Sequence, residues 1–179
     1  MLRLFAAIEL RQLHRNRLAL IKTPFPGAKW VDPESMHITL RFAGDIENHA
    51  ADEFAGFLSE IDFDPFDVQI GEIASFGGND PRIVFATADG GRPLEQLHRS
   101  AERAARSAGL DPETRSFKPH VTLARLKGAK PETVARFLGT CAPLGLPPFR
   151  VERFVLFSSR LRVGGGPYVI EEIFEAVGI

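Results

Sequence analysis

Hydrophobic residues recur along this chain with two different periods, which together predict a mixture of helices and strands. A spacing of three to four residues, as in Phe54, Leu58 and Ile61, predicts amphipathic helices over residues 9–21, 46–61, 93–108 and 131–138. Alternating or continuous apolar runs predict strands over residues 2–8, 37–42, 66–76, 82–88, 149–159 and 167–177, and a further strand that contains His120. Residues 77–81 predict a hairpin turn, and so do residues 164–166, which are all glycine.

The predicted elements follow the same order in both halves of the chain, and each half contains the same short motif. Residues 37–40 and residues 120–123 both read His-x-Thr-Leu, although the chain has only five histidines. The next predicted strand begins 29 residues after each motif histidine, at Phe66 (66 − 37) and at Phe149 (149 − 120). This agreement indicates an internal duplication.

The duplication and the chain length together predict the architecture. A chain of 179 residues is long enough for one sizeable domain or two closely packed lobes. We expect an α+β fold, with a single bilobal domain over residues 1–179 and pseudo-repeats over about residues 9–90 and 91–179. Each lobe would combine helices with antiparallel sheet and contribute one motif strand to a central cleft.

Composition and charge are ordinary for a globular protein and place any polyanion site in one region. The net charge is −1, from 22 basic and 23 acidic residues, so no overall positive field attracts nucleic acid. The surroundings of the second motif are locally basic, with Arg115, Lys118, Arg125, Lys127 and Lys130. The single cysteine excludes an intramolecular disulfide, and no apolar run is long enough to span a membrane. We expect a cytoplasmic monomer that does not associate with membranes.

The two motifs predict acid–base chemistry on a phosphodiester. Because side chains alternate along a strand, His37 and Thr39 share one face, as do His120 and Thr122. Two imidazoles that face each other across a cleft can act as base and acid, since their ordinary pKa is near 6.5. One would deprotonate water and the other would protonate the leaving ribose oxygen, while the threonine hydroxyls donate to the phosphate. No metal-binding or phosphate-loop motif is present, so we expect neither metal nor cofactor.

These residues resemble the two-histidine (2H) phosphoesterases. Both His-x-Thr-x motifs match, and residues 2–8, 29–31, 40–44 and 117–120 look like the RNA 2′,3′-cyclic phosphodiesterases, also called 2′-5′ RNA ligases. The resemblance runs essentially end to end. It implies a bilobal α+β fold and opening of RNA 2′,3′-cyclic phosphate to a 2′-phosphate, with reversible 2′-5′ joining of tRNA halves. It also implies that His37 is the proton donor and His120 the proton acceptor.

Four further side chains are candidates for substrate binding. Arg41 has the strand parity of His37, so it either contacts a phosphate or ribose or forms a salt bridge at the end of the strand. Arg125 has the opposite parity to His120 and reaches the cleft only if the strand ends or bulges at Ala124. The other two candidates are Lys118, in the basic region, and Tyr168, which could stack on a base.

Two alternatives to the RNA cyclic phosphodiesterase stay open at the level of sequence. One is a two-histidine enzyme for linear 2′-5′ oligonucleotides or small cyclic nucleotides, and the other is a non-catalytic RNA-binding module. Retention of both histidines and both threonines argues against the binding module, because binding alone requires no acid–base pair. The remaining histidines, His14, His49 and His98, are interpreted as surface residues on helices.

Overall fold

The computed structural model describes residues 2–159 and 167–178 and confirms the α+β class. The predicted glycine turn at residues 164–166 lies outside the described residues. The first half contains β1 (Leu2–Glu9), α1 (Gln12–Ala19), β2 (Ala28–Trp30), β3 (His37–Ile46), α2 (Asn48–Ser59) and β4 (Phe66–Phe76). The second half contains β5 (Ile83–Asp89), α3 (Gly91–Ser107), β6 (His120–Leu126), α4 (Pro131–Thr140), β7 (Phe149–Val151), β8 (Arg153–Ser159) and β9 (Tyr168–Glu175).

These strands form one curled antiparallel sheet in the order β7-β4-β5-β6-β3-β1-β8-β9, and β2 pairs with the far end of β6. Apolar side chains from both halves of the sheet and from the helices join in one connected core. Helix α3 packs on both α2 and β3, so it covers the core side of the first motif strand. Among the helices in the described part of the chain, none is long and apolar enough to cross a membrane.

Two pairings in this sheet indicate an approximate two-fold axis. Ile38 pairs with Val121 between β3 and β6, and Asp67 pairs with Arg150 between β4 and β7. Both pairs join positions that are 83 residues apart (121 − 38 and 150 − 67), which is also the offset between the two motif histidines. Equivalent positions of a repeat pair with each other only where a two-fold axis passes between them. We infer that the chain contains two repeats related by such an axis.

The repeats exchange strands. β4 of the first half pairs with β5, on the side of the second motif strand, whereas β8 pairs with β1, on the side of the first. With an offset near 83 residues between equivalent positions, β5 of the second repeat corresponds to β1 of the first. We therefore propose that the repeats begin at β1 and β5, a division that differs from the predicted one at residues 90 and 91.

Most predicted elements agree with the observed bounds, and the first helix is the main exception. The hairpin between β4 and β5 is confirmed, with Phe76 paired to Ile83 around the turn. Helix α1 is shorter than predicted, because extended backbone at Arg11 delays its start until Gln12. Its Leu13 is 55% exposed, although Leu18 of the same helix is buried.

Each motif strand contains a bulge at the same position. In the pairing of β1 with β3, Ala7 lies opposite Thr39 and Ala6 opposite Arg41, so Leu40 has no partner. The pairing of β5 with β6 omits Leu123 in the same way. One extra residue in a strand reverses the faces of all the residues that follow it.

The first bulge turns Arg41 into the core side of the sheet, where it is 7% exposed. Its Nε donates to Glu102 of α3 at 2.5 Å, and its other nitrogens donate to the carbonyl oxygens of Phe42 and Asp111. Glu102 also accepts from the backbone N–H of Glu113 at 3.1 Å. This buried network ties β3 and α3 to the segment that leads into the second motif.

We expect the Arg41→Met variant to lower the free energy of unfolding by about 3–5 kcal/mol, because it leaves the largely buried Glu102 carboxylate without its cation. Urea denaturation followed by circular dichroism measures the change. The matched control is Arg150→Met, which removes an exposed pair with Asp67 and should change stability by less than about 1 kcal/mol. Equal, small changes in both variants would contradict the structural role of Arg41.

Candidate active site

The two motifs meet at the bridge between Ile38 and Val121, which is the one pairing between β3 and β6 in the described residues. Both of these side chains are fully buried on the core side. The flanking His37 and His120 therefore project from the opposite face, together with the motif threonines. In this antiparallel register the two histidines are diagonal neighbours, whose Cα atoms are separated by about 7–8 Å.

Both histidine rings are fixed by the same type of hydrogen bond. Nδ1 of His37 contacts the carbonyl oxygen of Ser35 at 2.8 Å, and Nδ1 of His120 contacts that of Lys118 at 2.7 Å. A carbonyl oxygen only accepts, so Nδ1 carries the hydrogen in each ring. Nε2 is consequently the nitrogen that can accept or donate a proton in both histidines.

Thr39 is bonded directly to the first histidine. Its Oγ1 lies 3.1 Å from Nε2 of His37. When the ring is neutral, Nε2 has a lone pair and the threonine hydroxyl donates to it. Protonation of Nε2 reverses this bond and frees the hydroxyl hydrogen to donate to another acceptor, such as a phosphate oxygen.

Aromatic rings surround both histidines. The ring centroid of His37 lies 4.8 Å from that of Phe5 and 5.5 Å from that of Tyr168. The ring of His120 lies 5.5 Å from Phe76 and 5.4 Å from Phe85. Phe5 and Phe85 come from the strands next to the motif strands, β1 and β5, whereas Tyr168 of β9 and Phe76 of β4 come from strands further away in the sheet. Their apolar surfaces shield the imidazoles from water.

Two adjoining cavities occupy the polar face of the sheet. The first, of about 450 Å³, is lined by His37, Thr39, Thr122 and Arg125, and further by Arg3, Phe5, Val31, Ser35, Phe42, Ser159 and Tyr168. This lining includes two arginines and no acidic residue among the described residues, so it favours an anionic ligand. The second, of about 620 Å³, is lined by His120 and Lys118 and shares Thr39 and Phe42 with the first.

Burial lowers the pKa of His37 to about 4. The shielded position disfavours the charged imidazolium, and the positive charge of Arg125 and the neighbouring His120 lower the pKa further. The hydrogen bond to the Ser35 carbonyl acts in the opposite direction. In the absence of a bound anion, His37 is therefore neutral at pH 7.

The two bulges determine which of the two candidate arginines, Arg41 or Arg125, faces the cleft. The second bulge, at Leu123, gives Arg125 the same face as His120 and brings it into the first cavity. On the sequence alone, the strand had to end or bulge at Ala124 for Arg125 to reach the cleft, and the observed bulge lies one residue earlier, at Leu123. Arg41 takes the salt-bridge alternative, since the strand parity on which the phosphate contact depended is lost at Leu40.

Lys118 and Tyr168 both lie beside a motif histidine. Lys118 lines the second cavity, with Nζ 5.9 Å from the centre of the Phe76 ring. Tyr168 lines the first cavity at the start of β9 and stands edge-on to His37. Their predicted contacts with substrate stay predictions.

The interpretation of His14 as a surface residue is wrong. Its side chain is 2% exposed, and Nε2 bonds to the carbonyl oxygen of Pro147 at 2.7 Å. His98 is half-buried, with Nδ1 2.8 Å from the carbonyl oxygen of Leu40 and its ring stacked on Phe117. His49 is exposed, as predicted. One nitrogen of each of these two rings contacts a backbone carbonyl from a distant segment, which helical spacing alone does not reveal.

Sequence reasoning missed several residues of the site. The sequence pattern places Phe5, Phe76 and Phe85 on strands but does not indicate that each contacts a motif histidine. The carbonyl oxygens that fix the two rings belong to Ser35 and Lys118, each two residues before its histidine, and this shared spacing could have predicted them. Among the described residues, no three His, Cys, Asp or Glu side chains group in a way that could hold a metal ion.

Known proteins are similar to this chain in sequence and in fold. A curated RNA 2′,3′-cyclic phosphodiesterase of Aeropyrum pernix is 38% identical over 121 residues, which cover 66% of this chain and 68% of that protein. One from Methanothermobacter thermautotrophicus is 28% identical over 186 aligned positions, with 96% and 97% coverage. The crystal structure of E. coli LigT complexed with 3′-AMP superposes with a TM-score of 0.79 over 98% of each chain, and its 22% identity shows the fold alone.

The family model named 2′-5′ RNA ligase superfamily matches residues 9–161, a span that includes both motif strands and most of the sheet. This chain belongs to the 2′-5′ RNA ligase superfamily.

Proposed function

We propose that this protein hydrolyses the 2′,3′-cyclic phosphate at the end of an RNA strand and leaves a 2′-phosphate, with tRNA halves among its candidate substrates. The observation that carries the proposal is the pairing of Ile38 with Val121, which presents both His-x-Thr motifs on one face of the sheet. The names of the curated relatives support the choice of reaction, because they are RNA 2′,3′-cyclic phosphodiesterases. The basic lining beside the motifs supports an anionic substrate.

The proton transfers follow from the two available Nε2 atoms. Nε2 of His120 takes a proton from water while the water oxygen forms a bond to phosphorus. The bond from phosphorus to the ribose O3′ breaks, and Nε2–H of His37 gives its proton to that oxygen. The product is a 2′-phosphate with a free 3′-hydroxyl, and the site returns to its starting state when His37 and His120 exchange the proton with solvent.

Hydroxyl and guanidinium groups stabilise the charge that develops on the phosphate. Thr39 and Thr122 donate to non-bridging oxygens, and the Arg125 guanidinium lies in the same cavity as both threonines. Strain in the five-membered cyclic phosphate lowers the barrier further, so the reaction requires only modest activation of water. On this basis we expect the protein's own side chains to suffice, and the activity to persist in EDTA.

The role of His37 as acid depends on the bound substrate. A histidine with a pKa of about 4 is protonated in roughly one molecule in a thousand at pH 7. A phosphodiester anion beside the ring favours the imidazolium and raises this pKa. Thr39 reinforces the change, since protonation of Nε2 releases its hydroxyl to donate to the phosphate.

We expect the His37→Ala and His120→Ala variants each to hydrolyse an RNA 2′,3′-cyclic phosphate about 10²–10⁴-fold more slowly, equivalent to roughly 3–5 kcal/mol of barrier. The assay is run in EDTA and separates 2′- from 3′-phosphate products by chromatography. Activity close to wild type in both variants would contradict the proposed catalytic roles. A 3′-phosphate product would show that the bond from phosphorus to O2′ breaks, instead of the bond to O3′.

A nitrophenyl phosphodiester separates the two roles in the same pair of variants. Its leaving group needs no proton, so His37→Ala should recover most of its activity while His120→Ala should not. The matched control is His49→Ala, which removes an exposed histidine on α2 and should leave both rates unchanged. Recovery in His120→Ala alone would mean that His120 is the acid and His37 is the base.

We also expect the His37 ring to titrate with a midpoint near pH 4 in phosphate-free buffer, measured by NMR of the imidazole resonances. The Arg125→Gln variant should raise the midpoint, because it removes a positive charge that disfavours the imidazolium. Adding a 2′-nucleotide should raise it as well. The control Lys127→Gln removes an exposed charge on the same segment and should leave the midpoint in place. A midpoint near 6.5 in the free protein would contradict the effect of burial.

A further inference from the structure

The carbonyl oxygen that fixes the second motif histidine lies on a stretch of chain without helix or strand. Nδ1 of His120 donates to the carbonyl oxygen of Lys118 at 2.7 Å, and residues 111–118 connect α3 to β6 as irregular backbone. All of these residues are described, and no backbone hydrogen bond joins two of them. Just after the stretch, the carbonyl oxygen of Pro119 accepts from Ala88 of β5 at 3.2 Å. The position of the Lys118 carbonyl therefore depends on contacts from outside the stretch.

The first motif differs at the equivalent position. The carbonyl oxygen that fixes His37 belongs to Ser35, which ends a single 3₁₀ turn. Two local hydrogen bonds close this turn, from the N–H of Ser35 to Asp32 at 2.9 Å and from the N–H of Met36 to Pro33 at 3.2 Å. Local backbone bonds thus hold the first carbonyl in place, whereas the second has to be held by tertiary contacts.

One face of helix α3 supplies these tertiary contacts. His98 and Glu102 are four residues apart, so they project on the same side of the helix. Glu102 accepts from the backbone N–H of Glu113 at 3.1 Å. The ring of His98 is stacked on that of Phe117, with centroids 3.8 Å apart and planes inclined by 3°. Phe117 directly precedes Lys118, so the stacked pair is the nearest anchor on the N-terminal side of its carbonyl.

His98 is in turn fixed to the first motif strand. Its Nδ1 donates to the carbonyl oxygen of Leu40 at 2.8 Å. Leu40 is the extra residue of the first bulge and has no partner in the pairing of β1 with β3. Because β3 and β6 pair only at one bridge in the described part of the chain, His98 provides a second connection between the two motifs. Through it, the backbone that leads to His120 is aligned on the strand that carries His37.

We propose that His98 is a positioning residue for His120. Its ring holds Phe117, and thereby the Lys118 carbonyl, where that oxygen accepts from Nδ1 of His120 and directs Nε2 toward the attacking water. This inference rests on the proposed function, in which His120 is the base. Displacement of a catalytic group by about 1 Å can lower a rate by about 10²-fold. Loss of the His98 ring should therefore slow turnover although the proton donor and acceptor of the reaction are both retained.

The test replaces His98 in two ways. His98→Asn removes the ring and keeps a short side-chain N–H donor for Leu40. We expect its kcat to fall by about 10–100-fold and its KM to change by less than about twofold, because the base is displaced while the substrate contacts persist. The fall should be equal with an RNA 2′,3′-cyclic phosphate and with a nitrophenyl phosphodiester, since both reactions need His120. His98→Phe keeps a ring that can stack on Phe117 and should recover most of the kcat.

Nitrogen NMR of the His120 ring supplies a readout that a purely structural role would not change. In the wild type Nδ1 carries the hydrogen, and in His98→Asn we expect a mixture of the Nδ1–H and Nε2–H forms, because the Lys118 carbonyl is no longer held in place. A purely structural role would lower the free energy of unfolding and leave this mixture absent. If His98→Asn does not fold, Phe117→Leu removes the other ring of the pair and is measured in its place.

The matched control is Glu34→Gln, at the position equivalent to Phe117 in the first repeat (117 − 83). Glu34 is 74% exposed and pairs at 3.3 Å with Arg15, which is the counterpart of His98 (98 − 83). Because the 3₁₀ turn holds this backbone locally, loss of the exposed pair should leave kcat and the motif histidine signals unchanged.

Four results in His98→Asn would each overturn the positioning role. They are an unchanged kcat, an unchanged form of the His120 ring, a rise in KM alone, which would indicate direct contact with the substrate, and recovery on the nitrophenyl substrate, which would indicate an effect through His37. If His120→Ala is inactive in the same assays, the proposed function stands in all four cases. Activity close to wild type in His120→Ala would instead remove the proposed function and the positioning role with it.

Discussion

The proposed active site depends on a single backbone pairing, that of Ile38 with Val121. On the core side their two buried side chains hold the halves of the sheet together. On the other side the same pairing sets the spacing of two imidazoles and two hydroxyls. Because β3 and β6 pair nowhere else among the described residues, the strands separate beyond this point, and the polar face opens into a groove. Pairing of equivalent positions also explains how one duplicated strand supplies both halves of the proposed acid–base site.

The repeated bulge is the second constraint on the site, because it decides which arginine side chain faces the core and which faces the groove. Leu40 and Leu123 are the extra residues, and each reverses the orientation of the residues that follow it. The position after the first bulge is Arg41, which is buried and bonded to Glu102, whereas its counterpart after the second is a buried alanine. One position later, Phe42 and Arg125 both reach the groove. The second bulge thereby places Arg125 in the first cavity, whereas the first bulge places Arg41 in the core, where it pairs with Glu102.

Much of this arrangement was predictable from the sequence, because it depends on local periodicity and on a motif that occurs twice. The bounds of β4 and the placement of His37 and His120 follow from alternation and spacing alone. The strand exchange was not predictable from the sequence. Each lobe includes an outer strand from the other half of the chain, and local periodicity does not indicate which strands pair with each other. The direction of Arg41 and the burial of His14 have the same cause, because both depend on partners more than 60 residues away.

The environments of the two histidines break the symmetry that the duplication creates. Two identical imidazoles would have equal affinities for a proton, so neither would be defined as acid or base. His37 is enclosed by Phe5, Phe157 and Tyr168, and this enclosure holds it neutral in the free protein. On the proposed roles, it becomes an acid only when an anionic phosphate raises its pKa. The substrate therefore creates the protonated form that its own cleavage requires, and a hydroxyl from Thr39 is released to bind the phosphate in the same step.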